Sequence, residues 1–179
     1  MIRSGPSAAF LCILYVFMAA SAILLPLLPL ELTADARATP DLLAALTAAW
    51  VLRRPDSVPV FVIVPIFLIA DFMLGRPPGL WTLLMLAATE MLRLMASGQD
   101  DRPFLIEWLN FGIMLALLLA LMTLILNLSF APHPPLGRVF ELFTGTMLAY
   151  PALVFVLYAL LRVRAPQAAA RSARLGRVG

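Results

Sequence analysis

Ionisable side chains inside long apolar runs are the positions of this chain best placed to do chemistry. A charge in hydrocarbon is costly and is kept only with a partner or a task. Asp71 closes one apolar run, Glu90 and Arg93 lie inside the next, and Glu107 and Asn110 open a third. Asp71 precedes the turn "GRPPG", so its carboxylate either accepts hydrogen bonds from the turn's backbone or pairs with Arg76 around it. Gly75 and Gly79 are expected to let the two flanking helices approach closely. The plainest outcome is a structural lock on a helical hairpin. Glu90 and Arg93 are one turn apart on one face, the spacing at which opposite charges meet on a helix. They form a mutually neutralised pair buried in a bundle, a ligand pocket, or a contact to a polar group of another membrane protein. Glu107 and Asn110 repeat that spacing and either join the same cluster or cap and hydrate a helix entrance. Glu141 is expected in the first turn of the last helix, where the helix dipole favours a carboxylate.

Other chemistries find little support. Asp71 and Glu90 differ in depth by about 10 Å on helical rise alone, too far for paired acid–base work on one bond. His133 is the only histidine and sits in the proline-rich turn "APHPPLG"; Cys12 is the only cysteine and lies inside an apolar run. One of each leaves no basis for zinc proteolysis, Cys-His catalysis, paired-His haem ligation or a C-x-x-C site. No G-x-S-x-G, H-E-x-x-H or P-loop pattern is present. The expectation is a non-enzymatic chain with no cofactor, no metal and no nucleic-acid partner.

The elements that carry these residues are membrane spans. With 63% apolar and 13% charged residues, 179 residues leave too little polar surface for a water-soluble globule. Apolar runs near the roughly twenty residues needed to cross a bilayer recur along the chain. They predict an all-α, polytopic protein with six transmembrane helices at about 8–30, 40–52, 58–75, 79–97, 104–129 and 138–162. The second, "PDLLAALTAAWVL", is short for a ~30 Å core, and the fifth is long enough to tilt. Pro26, Pro29, Pro65 and Pro151 fall inside spans, which is tolerated where neighbouring groups satisfy the freed carbonyls. With the amino terminus inside, ten arginines (3, 53, 54, 93, 102, 162, 164, 171, 174 and 177) face the cytoplasm, against Arg37, Arg76 and Arg138 outside. Both termini are then cytoplasmic, and 164–179 is a basic tail whose Arg171, Arg174 and Arg177 can engage anionic lipid or an acidic partner. The alternative of a cleaved signal peptide at "AASA" is disfavoured by the apolar run continuing through "ILLPLLPL".

Two stretches, "WVLRRPDSVPV" and "FLIADFMLGRPPGLWTLLMLAATEMLR", resemble the core of the bacterial rod shape-determining MreD family, of the alphaproteobacterial type. The similarity runs from about Trp50 to Arg93, and the D-x-x-x-G-x-x-x-G order of Asp71, Gly75 and Gly79 is similar to that family's third-to-fourth helix hairpin. Phe67 stands where many members carry a glycine. The resemblance implies a non-catalytic inner-membrane component of the cell-elongation complex that makes peptidoglycan. Its partners would be MreC, the MreB filament, a RodA-type glycosyltransferase and a penicillin-binding transpeptidase. It also implies a fold similar to the substrate-binding subunits of energy-coupling-factor transporters. The alternative function is accordingly a small-molecule-binding subunit of a membrane transporter, against which stand the short outer loops with few ligand-reading side chains.

Overall fold

The computed structural model describes residues 8–28, 39–96, 103–132 and 134–161; Arg171, Arg174, Arg177 and His133 lie outside them. The described residues form six helices: α1 (Ala8–Leu24), α2 (Leu42–Arg53), α3 (Val60–Met73), α4 (Leu80–Ala96), α5 (Phe104–Leu128) and α6 (Leu136–Leu161). Short 3-10 turns at Leu25–Leu27 and Pro55–Ser57 follow α1 and α2, and no strand occurs among the described residues. Proline sets several of the starts. Pro59 and Pro103 are the N-caps of α3 and α5, where the missing amide hydrogen costs nothing because no carbonyl precedes it in the helix. Pro134 and Pro135 likewise preset the backbone ahead of α6, which begins at Leu136 rather than near 138. That earlier start corrects one expectation: Glu141 stands in the second turn of α6, and the first turn carries no acid.

Helix length divides the bundle into two groups. Three helices are long and apolar enough to cross a membrane: Ala9–Leu27, Phe104–Leu128 and Leu136–Ala159. Their apolar side chains point mostly outward, with the windows at α1 and α6 only 22% and 17% buried. Ile13, Phe17, Leu117, Leu124 and Phe155 are among the large side chains left on the surface. Continuous apolar surface of this kind is compatible with a membrane protein. The other three helices are shorter, and α2, with 12 residues, extends only about 18 Å.

The shortest helix is also the most enclosed. Residues 43–51 of α2 are all buried, and α2 packs against α1, α4 and α6. Its alanines at 44, 45, 48 and 49 leave room on every side for neighbours to close in. Tyr15 of α1 meets α2 edge-on at Trp50, ring centroids 5.5 Å apart, and shares a 2.9 Å hydrogen bond with Thr47. Phe67 of α3 is fully buried in the same core. The tight packing at a glycine lies elsewhere than expected. A Cβ on Gly112 of α5 would come within 2.7 Å of the Met147 side chain of α6, whereas one on Gly75 or Gly79 would meet nothing within 4 Å.

Pro151 illustrates how a break inside a long apolar helix is accommodated. Proline cannot donate to the carbonyl four residues earlier, so Met147 loses its intrahelical partner. Trp108 of α5 supplies the substitute: its indole N–H donates to the Met147 carbonyl at 2.9 Å. In an apolar surrounding such a carbonyl must be satisfied by protein.

Candidate functional site

Asp71 is fully buried in the last turn of α3 and faces the start of α4. Its Oδ2 accepts from the Gly79 amide at 3.0 Å, the Thr82 amide at 3.2 Å and the Thr82 hydroxyl at 2.8 Å. The carboxylate thus caps α4 from another helix, satisfying amide groups that a helix start leaves without partners and placing negative charge at the positive end of its dipole. Gly75 and Gly79 turn the chain between the two helices with φ of +64° and +85°, values that side-chain-bearing residues rarely adopt. Their role is therefore backbone conformation and not the close approach of two helices, which corrects the reading from sequence. The Arg76 alternative for Asp71 is corrected as well, since the guanidinium reaches across to α2.

Arg76 donates through Nη1 to Oδ2 of Asp41 at 2.9 Å. Asp41 is the N-cap of α2, and its Oδ1 accepts from the Ala44 amide at 2.9 Å. Its own amide donates to the Thr146 hydroxyl of α6, again at 2.9 Å. One buried carboxylate thereby joins the start of α2 to the α3–α4 turn, with α6 bonded to the same residue's backbone. Arg76 also lies over the Trp81 ring, 5.4 Å from its centroid.

The opposite end of α2 is held in a mirrored way. Arg53, in the last turn, donates to both oxygens of Glu107 on α5, at 2.7 Å to Oε1 and 3.0 Å to Oε2. Oε1 also accepts from the Tyr150 hydroxyl of α6, and the Tyr150 ring stacks on Phe111 with centroids 4.4 Å apart. An acid at the first end of α2 and a base at the last both complement its dipole. Bidentate geometry with only 16% and 15% side-chain exposure makes the Arg53–Glu107 pair a firm joint between α2 and α5.

Arg93 forms a third joint. It pairs with Glu90 at 3.0 Å on α4 and donates to the carbonyls of Pro55 and Val58 in the α2–α3 connection. Glu90 is nearly half exposed at 48%, which corrects the expectation of a pair buried within the bundle. Glu107 does not join this cluster because Arg53 takes both its oxygens. Asn110, one turn further along α5, is half-buried. On the rest of α5 the polar groups turn to their own backbone, Thr123 donating to Leu119 and Asn127 to Thr123.

Asp41, Arg53 and Tyr150, with Thr82 and Thr146, are participants that the sequence reading missed. Asp41 carried a usable signal, an N-capping residue after proline at the head of an apolar run, and Arg53 another, a cation in a helix's last turn. Tyr150 carried none. The chemistry available to the three clusters is hydrogen bonding and charge pairing between helices. Among the described residues no group of three or more His, Cys, Asp or Glu side chains is arranged to hold a metal ion.

No family model matches the chain, and neither a curated protein nor a solved structure is similar to it. Its class rests on its own geometry: among the described residues, helices without strands, three of them long and apolar enough to cross a membrane, joined by polar contacts at helix ends.

Proposed function

We propose that this chain is a non-catalytic membrane component of a bacterial cell-elongation complex, of the MreD type, acting by binding MreC and connecting the MreB filament to wall-synthesising enzymes. The observation that carries the reading is the hairpin. The Asp71, Gly75 and Gly79 order that underlies the resemblance forms one working device, two left-handed glycines and a carboxylate capping the next helix. A second support is the use made of the acids in the bundle: Asp41, Asp71 and Glu107 are each bonded to donors from other elements. Side chains held in this way suit a rigid scaffold. The proposal includes six spans, with α2, α3 and α4 crossing locally thinned lipid or borrowing flanking residues. It also includes an energy-coupling-factor-like fold, residence in the inner membrane and cytoplasmic termini. Partner recognition would use close packing of helix faces and a few polar contacts. Copurification of the intact chain from its own membranes is expected to recover MreC together with the elongation synthases. Recovery of an ATPase-coupled transporter module in their place would refute the proposal and favour a small-molecule-binding subunit.

A further inference from the structure

A cavity of about 340 Å³ opens where the α3–α4 turn meets the ends of α5 and α6. Its polar wall includes Asp41, Arg76 and Trp81, and Arg138 comes from the first turn of α6 on the other side. Its apolar wall includes Leu119, Thr123 and Val139, and these same three residues also line a groove between α5 and α6 that continues over Phe140 and Phe143. A polar chamber and an apolar groove therefore share one wall.

The chamber carries arginine donors beyond those that Asp41 takes up. Arg76 gives Asp41 one of the five N–H groups that a guanidinium carries. Arg138 has an exposed side chain with no ion pair among the described residues. Trp81 is 1% exposed, yet its indole N–H has no hydrogen-bond partner. Among the described residues of the lining, two arginines stand against one aspartate, and Glu141, one turn beyond Arg138, is not part of it. Position agrees with charge. The 25 residues of α5 extend about 37 Å, more than a ~30 Å hydrocarbon core. Its last turns and the first turns of α6 thus reach the headgroup level, while the groove over Phe140 and Phe143 runs towards the acyl chains.

We infer that this cavity holds the phosphate headgroup of an anionic lipid, with a hydrocarbon chain lying in the α5–α6 groove. Arg138 and Arg76 supply the charge, while the apolar wall distinguishes a lipid from a free phosphate ion. The inference rests on membrane insertion alone and is independent of the elongation partners, because it is tested on the purified chain.

The test is lipid retention by the intact chain in a neutral detergent, read by native mass spectrometry. Dioleoylphosphatidylglycerol and dioleoylphosphatidylcholine are the lipid probes and inorganic phosphate the competitor. One phosphatidylglycerol per chain is expected to stay bound under conditions that strip phosphatidylcholine, and millimolar phosphate should not displace it. Arg138→Gln is expected to weaken retention about fivefold, the effect of one arginine near a membrane surface, and Arg138→Lys to preserve most of it. Thr123→Phe fills the junction of chamber and groove without altering charge, and should also lose the lipid. The helical circular dichroism of each variant checks that it is folded. Equal retention of the two lipids, or unchanged binding in Arg138→Gln, overturns the inference and makes Arg138 a plain interfacial anchor. Displacement by phosphate alone overturns it too, in favour of a free-anion site.

Discussion

Replacing Trp108 by Phe is expected to loosen the joint between α5 and α6, and replacing Pro151 by Ala to restore most of what is lost. The indole N–H of Trp108 is the donor that replaces the amide Pro151 lacks, at 2.9 Å from the Met147 carbonyl. Phenylalanine keeps most of the ring but removes the hydrogen, leaving that carbonyl unsatisfied at a cost of about 1–3 kcal/mol. In the Pro151→Ala background the carbonyl regains a donor from its own helix, so Trp108→Phe should then cost only the lost ring area, under about 1 kcal/mol. The quantity to measure is the coupling energy of the double-mutant cycle, from unfolding in mixed neutral detergent and sodium dodecyl sulfate followed by circular dichroism. Pro65→Ala serves as the control, because Pro65 interrupts α3 and not α6. If Trp108→Phe costs the same with and without the Pro151→Ala change, within the ~0.5 kcal/mol expected of independent sites, the reasoning is refuted. The joint bears on the candidate site directly, since Glu107 and Tyr150 lie beside Trp108 and Met147 and hold Arg53 between them.

Three further outcomes are expected. Asp71→Ala removes the acceptor for two amides and a hydroxyl at the start of α4 and should cost about 2–4 kcal/mol. Asp71→Asn should cost less, and an Asn variant no more stable than Ala in the same unfolding assay would count against the cap. Gly75→Ala and Gly79→Ala should each cost about 1–2 kcal/mol through left-handed backbone strain, with Gly75→Asn milder than Gly75→Ala; equal losses would count against the strain argument. Arg53→Met or Glu107→Gln alone should destabilise by about 3–5 kcal/mol because each leaves an enclosed charge, while the two together should destabilise less than either; additive losses would exclude a coupled pair.

The helices and their apolar character follow from local features of the chain. Runs of apolar residues are ended by proline, glycine and arginine, and Pro59, Pro103 and the Pro134–Pro135 pair bound elements through their own backbone geometry. The hairpin was legible for the same reason: an aspartate before "GRPPG" has few other donors within reach, and two glycines in a tight connection signal unusual backbone angles. Which helix lies inside was not legible. In a water-soluble bundle the buried face is marked by contrast with polar residues, but α5 is apolar on every side from Phe111 to Met122, and lipid is as apolar as a protein core. Thus α2, the least convincing span by length, is the most enclosed, because its four core alanines matter only once neighbours pack on them. The pairings of Asp41 with Arg76 and Arg53 with Glu107 join residues 35 and 54 positions apart. Sequence spacing carries no information on contacts of that range, so the choice of partner was made by the tertiary packing that carries each charge to its counterpart.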